Sequence, residues 1–206
     1  MVFFFKAEGI KRLPTRYPQQ WRKDERVSDK IRAEMVAIIP RLRRFVFTLT
    51  GNLDDTDDIV QETCLRALAR LDQWQSGTKL DSWMYRIAQN IWIDRGRATR
   101  VRGVPIDLAE DNQLYSIDGR KTMDTRLTLR DALEGIARLP AEQRILIALI
   151  CVNGCSYKEA AHITKIPIGT IMSRLARARS ALHEFLAQSD KKASASKDGG
   201  RDAQLN

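Results

Sequence analysis

Cysteine and histidine are scarce, three and two among 206 residues, which excludes a disulfide scaffold. Long apolar runs are missing as well. The longest, Ile145 to Val152, has eight residues and is too short to cross a bilayer. The opening Met1-Val2-Phe3-Phe4-Phe5-Lys6 lacks a charged n-region and an apolar core of signal-peptide length. There is no Gly-rich phosphate loop, nucleophile elbow or His-Glu helix motif, so no catalytic residue, metal or cofactor is expected. Cys151 and Cys155 are four apart, with His162 and His183 beyond them. Zinc ligands come as tighter pairs, so these cysteines are expected to be buried. Acidic charge is in the minority, 26 Asp+Glu against 35 Lys+Arg, for a net +9. A soluble, cytoplasmic protein with a polyanionic partner is expected, with no membrane insertion.

The charge is laid out in blocks. Residues 1–30 carry +4, 31–74 carry −1, 75–103 carry +4, 104–125 carry −3, 126–188 carry +4 and 189–206 carry +1. Neither an even solvating coat nor a simple basic tail has this pattern. Composition changes at similar borders, and no internal repeat is apparent. The expected organisation is an N-terminal extension 1–26, a domain 27–102, a linker 103–125, a second domain 126–187 and a disordered tail 188–206.

Both domains read as helical, and β-alternation is missing. Ile31, Met35, Ile38, Ile39, Leu42 and Phe45 mark a first helix, with a kink expected at Pro40 and a stop at Gly51-Asn52. A second helix is expected from about Asp55 to Leu71, its early acids favouring the helix dipole. Its buried face would hold Val60, Cys64, Ala67, Leu68 and Leu71. Asp58, Glu62, Leu65 and Ala69 form a flank away from that face, either solvated or suited to a basic partner helix. A third helix starts near Leu80, with Leu80, Trp83, Met84, Ile87, Ala88 and Ile91 as its core stripe. Tyr85 and Trp92 share one edge, open to a core role or to base stacking. Arg86, Asn90, Ile93 and Arg97 lie on the other edge. The helix runs into Arg95, Arg97, Arg100 and Arg102, and such an end beside aromatics can grip single-stranded nucleic acid.

In the second domain, Ser156-Tyr157-Lys158-Glu159 has capping-box spacing. Thr164-Lys165-Ile166-Pro167 breaks that helix, and another opens at Gly169-Thr170-Ile171. Ile171, Leu175, Ala178 and Leu182 form the apolar face of this last helix, and Ala161 is small enough for a close crossing. A short helix, a brief turn and a basic second helix make a helix-turn-helix. Its outward Thr170, Ser173, Arg174 and Arg177 supply donors for base edges and phosphates.

These blocks together resemble the bacterial sigma factors of the extracytoplasmic-function group, within the sigma-70 family, over about residues 30–187. The first half of the resemblance lies in Leu53-Asp54-Asp55-Thr56-Asp57-Asp58-Ile59-Val60-Gln61-Glu62-Thr63 and Leu80-Asp81-Ser82-Trp83-Met84-Tyr85-Arg86-Ile87-Ala88-Gln89-Asn90. The second half lies in Leu139-Pro140-Ala141-Glu142-Gln143-Arg144, Gly154-Cys155-Ser156-Tyr157-Lys158-Glu159-Ala160-Ala161 and the run from Ile166 to Arg179. The resemblance implies an all-α chain of two small domains joined by a flexible acidic linker, and not an enzyme. It implies a factor that binds core RNA polymerase, recognises the minus-thirty-five and minus-ten promoter elements and aids melting. Asp58, Glu62 and Leu65 would face the clamp helices of the β′ subunit. Asn90 and the loop 75–80 would hold a flipped minus-ten base, with Arg86, Arg95, Arg97 and Arg100 on the backbone of the opened strand. Thr170, Ser173, Arg174 and Arg177 would read the minus-thirty-five element, beside a contact to the β-flap. The linker would thread toward the polymerase active-site channel. An anti-sigma factor is the further partner implied. Three positions depart from the pattern: Lys165 where glycine is common, Met172 where a polar or basic residue is common, and the stretch 1–26.

Two other classes compete. An autonomous helix-turn-helix regulator accounts for 126–187 but leaves 27–102 unexplained. A pure interaction protein, such as an inhibitor of another factor, predicts no promoter-dependent transcript.

Overall fold

A computed structural model describes residues 25–74, 78–101 and 123–198. The expected extension 1–26 and linker 103–125 fall largely outside them. The chain divides after Ala37 into two units. The described part of the first carries a surface pair, Arg32 with Asp29 at 3.2 Å. Everything that follows concerns the second, from Ile38 onward.

Every described element is helical, and no strand occurs among the described residues. The order is α1 (Glu25–Thr50), α2 (Leu53–Ala69), a short 3-10 turn (Leu71–Gln73), α3 (Leu80–Val101), α4 (Met123–Arg138), α5 (Ala141–Leu146), a π-wound turn (Ile147–Val152), α6 (Tyr157–Thr164) and α7 (Ile168–Asp198). The tail expected to be disordered from 188 is therefore helical as far as Asp198. The expected kink at Pro40 does not interrupt α1. Pro40 is exposed, so its ring sits on the solvent side, where a lost hydrogen bond is cheapest.

Gly51 ends α1 at φ 77°, its N–H bonding the Phe47 carbonyl at 2.9 Å. The next residue starts the following helix. Asn52 Oδ1 accepts from the Asp55 backbone N–H at 2.8 Å, so α2 begins two residues earlier than its acids suggested. Its buried face is also rotated from the expected one, running through Thr56, Ile59, Val60, Thr63 and Ala67 and leaving Leu68 38% exposed. The reason is that both threonines return their hydroxyls to the helix: Thr56 to the Asn52 carbonyl at 2.5 Å and Thr63 to the Ile59 carbonyl at 2.7 Å. A satisfied hydroxyl buries at little cost.

In α3 the stripe is likewise turned. Leu80, Met84, Ala88 and Ile91 are buried as expected, but Trp83 and Ile87 are only half-buried, and Tyr85 takes the core position. Tyr85 packs edge-on against Phe45 of α1, ring centroids 5.1 Å apart at 68°.

The second half packs α7 against α4, α5 and α6 through Ile171, Leu175 and Ala178. A Cβ at Gly135 would lie 2.6 Å from Leu182 and 2.7 Å from Phe185, so α4 and α7 meet where a side chain is missing. The apolar run Ile145–Val152 leaves α5 and widens into the π turn, in which the Asn153 N–H reaches back five residues to the Ala148 carbonyl at 3.1 Å. Cys155 is buried as expected, whereas Cys151 is exposed, turned outward by the widened turn.

The capping box is present in both directions: Ser156 Oγ accepts from the Glu159 N–H, and Glu159 accepts from the Ser156 N–H at 2.8 Å. Lys165 ends α6 in the left-handed region, φ 61° and ψ 30°. A side chain there costs about 1–2 kcal/mol. Lys165→Gly should therefore stabilise the chain by about 0.5–1 kcal/mol in urea unfolding, net of the entropy glycine adds to the unfolded state. A loss of stability would show that the Lys165 side chain makes a compensating contact.

Candidate functional site

Two surfaces carry the residues singled out above, one on α2 and α3 and one on α6 and α7. On the first, Asp58 and Leu65 are exposed, Leu65 by 61%, beside the partly exposed Leu68. Glu62 is half-buried because it faces two arginines. Arg66 Nη2 lies 2.6 Å from its Oε1 and Arg95 Nη2 lies 2.7 Å from its Oε2. The hydrogen bond from Arg95 holds the Glu62 carboxyl below its usual range. One residue expected to face polymerase and one expected to face DNA are thus partners, and the pair ties α2 to α3.

Along α3, Asn90 and Arg97 are exposed, and Arg97 makes only a loose pair with Asp94 at 3.8 Å. The Arg100 side chain and residues 75–77 lie outside the described residues. Arg86 is only half-exposed. Its Nε donates to the Ile163 carbonyl at 3.1 Å, and its Nη2 donates to the His162 carbonyl. These are carbonyls of the last turn of α6, where no helical N–H remains to accept from. Trp92 is also partly occupied, the Arg144 guanidinium lying 5.5 Å over its ring. Tyr85 is no stacking platform. Burial pushes its hydroxyl up to about 12, and that hydroxyl donates toward Asn153 Oδ1 at 3.5 Å.

On the second surface, the recognition helix α7 presents Ser173 and Arg177 to solvent and Thr170 at its edge. Ser173 Oγ donates to the Thr170 carbonyl at 3.0 Å, and Arg177 Nε to the Ser173 carbonyl at 3.3 Å. Met172 is 54% exposed beside them, an apolar group suited to a thymine methyl. Arg174 differs from its neighbours. Its Nη1 lies 2.7 Å from Glu142 Oε2 of α5, and its side chain is only 27% exposed. Exposed pairs contribute at most about 1 kcal/mol, so the exchange of Glu142 for a phosphate or base edge is inexpensive.

Several contacts were not legible in the sequence. Lys79 Nζ donates to Glu159 Oε1, eighty residues away. Arg144 Nη1 reaches the Leu49 carbonyl at 3.1 Å, while its Nη2 serves the carbonyls of Ala137 and, at 3.4 Å, Leu139. Capping-box spacing locates Glu159, but nothing in the spacing predicts which base it meets.

Residues 36–102 match sigma-70 region 2, and residues 129–182 match sigma-70 region 4. The sigma factor EcfG of Rhodopseudomonas palustris is 34% identical over 160 residues, covering 78% of this chain and 87% of that one. SigW of Bacillus subtilis is 30% identical over 155 residues, covering 71% and 83%. Among solved structures, the sigma factor RpoE of Bartonella quintana, in complex with the anti-sigma factor NepR, superimposes with a TM-score of 0.65. It is 31% identical and covers 77% of this chain and 97% of that one. CnrH, in complex with the cytosolic domain of CnrY, shares the fold at a TM-score of 0.55 and 22% identity.

A helical domain followed by a helix-turn-helix, matched in that order, defines a transcription initiation factor of the sigma type. The chain belongs to the extracytoplasmic-function group of the sigma-70 family. It binds core RNA polymerase and promoter DNA, directs initiation and is not an enzyme. The match over 36–102 accounts for the half that an autonomous regulator leaves unexplained. Among the described residues, no helix is long and apolar enough to cross a membrane.

The Glu159 carboxyl is held down to about 2, first by the Lys79 ammonium and then by the Ser156 N–H and hydroxyl. A depressed folded-state value stabilises the fold above the ordinary glutamate range near 4.5, and that contribution drains away as pH falls toward 2. Urea unfolding followed from pH 6 to pH 2 should show this acid loss, and Glu159→Gln should flatten it while keeping the cap.

Proposed function

We infer that the two surfaces divide the work of promoter recognition. Thr170, Ser173, Arg174 and Arg177 read the minus-thirty-five element from the major groove. Asn90, Arg86, Arg95, Arg97 and Arg100 hold the opened minus-ten strand. Asp58, Glu62 and Leu65 dock on the clamp helices of β′, and the second domain also touches the β-flap. The observation that carries this reading is the recognition helix itself. Its apolar face is buried to the last atom at Ile171 and Ala178, while Ser173 and Arg177 stand exposed on the opposite side. Support for the minus-ten role comes from the arginine-rich second half of α3, with Asn90 and Arg97 open to solvent.

The same reading places the working domains at 27–102 and 126–187, joined by the acidic linker 103–125, in a protein of the cytoplasm. It also includes an anti-sigma partner, by analogy with RpoE of Bartonella quintana bound to NepR.

Reconstituted holoenzyme tests these roles. Arg174→Ala should weaken upstream recognition by about 1–3 kcal/mol and flatten discrimination among substituted minus-thirty-five elements. Unchanged discrimination would remove the base contact and leave Arg174 as a partner of Glu142 alone. Asn90→Ala should reduce permanganate reactivity of the minus-ten thymines while co-elution with core polymerase stays intact. Normal melting in that variant would show that Asn90 holds no base.

A further inference from the structure

The edge of α3 assigned to the opened strand is already in use. Helix α6, the first helix of the helix-turn-helix, packs along it. A helix of eight residues is about 12 Å long, with a partial positive charge at its N-terminus and a partial negative charge at its C-terminus. Both ends of α6 are met by cations of the other half. At the N-terminal end, Glu159 caps the backbone and at the same time accepts from Lys79. At the C-terminal end, Arg86 serves the last carbonyls, those of His162 and Ile163. Lys79 and Arg86 are seven residues apart, which at the α-helical rise is about 10.5 Å and matches the length of α6. Tyr85 touches Asn153 between them, and Arg144 extends the contact to Leu49 and Trp92.

This arrangement cannot persist on a promoter. Elements centred about 25 base pairs apart are separated by roughly 85 Å at about 3.4 Å per pair. Helices α3, α6 and α7 are successive neighbours. At about 8–10 Å per packed pair, the recognition helix lies roughly 20 Å from α3. The segment 102–122 spans at most about 70 Å when fully extended, which is long enough for the halves to part.

We propose that α6 is the intramolecular partner of the minus-ten edge, and that the free factor is self-latched through Lys79–Glu159 and Arg86–α6. The latch occupies Arg86 and Trp92 while leaving Ser173 and Arg177 exposed. Strand capture is therefore blocked in the free chain, and the duplex-reading face is not. Core polymerase, whose complex needs the separated form, binds only the open fraction. Its apparent affinity falls by that fraction. The proposal rests on the roles assigned under Proposed function, but its structural half can be measured without DNA or polymerase.

The test uses the full chain in three forms: native, Glu159→Lys, and Glu159→Lys combined with Lys79→Glu. Small-angle scattering should give a larger radius of gyration for Glu159→Lys than for the native chain at equal ionic strength, and the reciprocal swap should restore the native value. Binding to core polymerase should tighten about three- to tenfold in Glu159→Lys and return to native in the swap. Glu159→Gln keeps the cap and loses the charge, so it should fall between native and Glu159→Lys in both measurements. Equal radii, a swap that restores neither quantity, or an open variant that binds polymerase no more tightly would overturn the latch. Failure of every form to bind polymerase would instead overturn the assigned roles, and the scattering comparison would still decide the latch.

Discussion

Arginine donating to the carbonyls at a helix end is the interaction on which this structure turns. A short helix leaves its last carbonyls without partners, and a guanidinium presents several donors in one plane to fill them. Arg144 does this for the end of α4, at Ala137 and Leu139, and for Leu49 near the end of α1. Arg86 does it for α6. Burial pulls the Arg144 guanidinium down from its ordinary value, yet it remains charged, because nothing in the physiological range deprotonates arginine. Two side chains thus complete three helices, and each reaches between residues more than seventy positions apart in the chain.

The same chemistry explains why the net positive charge is less available than the composition suggests. Arg43 is engaged by Asp57 in a two-point contact at 2.7 and 3.0 Å, Arg95 by Glu62 and Arg174 by Glu142. A phosphate that claims Arg95 or Arg174 displaces a carboxylate rather than a counterion from solution. Sequence-independent attraction then depends mainly on residues left open, such as Arg97 and Arg177. The paired arginines are turned toward positions where a specific contact can outcompete the acid.

Local chemistry was legible in the residues. The stop at Gly51, the capping box of Ser156 and Glu159, the strained turn position at Lys165 and the buried face of α7 all appear where spacing places them. What depends on long-range pairing was not. Thr56 and Thr63 read as polar until their hydroxyls are seen returned to the backbone, and so the face of α2 was misplaced. Tyr85 could serve core or surface by periodicity, and only Phe45 and Asn153 decide it for the core. Cys151 belongs to an apolar run that looks uniformly buried, but a π turn has no periodic signature and brings that thiol to the surface. The lists of DNA-facing and polymerase-facing residues were drawn up separately, and the meeting of Arg95 with Glu62 crosses them.

The connection between α3 and α4 has a consequence of its own. Because 21 residues join the two halves, each sees the other at an effective concentration on the order of millimolar, whatever the concentration of the protein in the cell. An association too weak to detect between separated halves is therefore well populated within one chain. A competing ligand in solution has to exceed that local concentration in its own binding terms, whereas a partner that grips both halves at once inherits it. Dilution, which dissociates an inhibitory complex between two proteins, leaves a tethered contact of this kind unchanged.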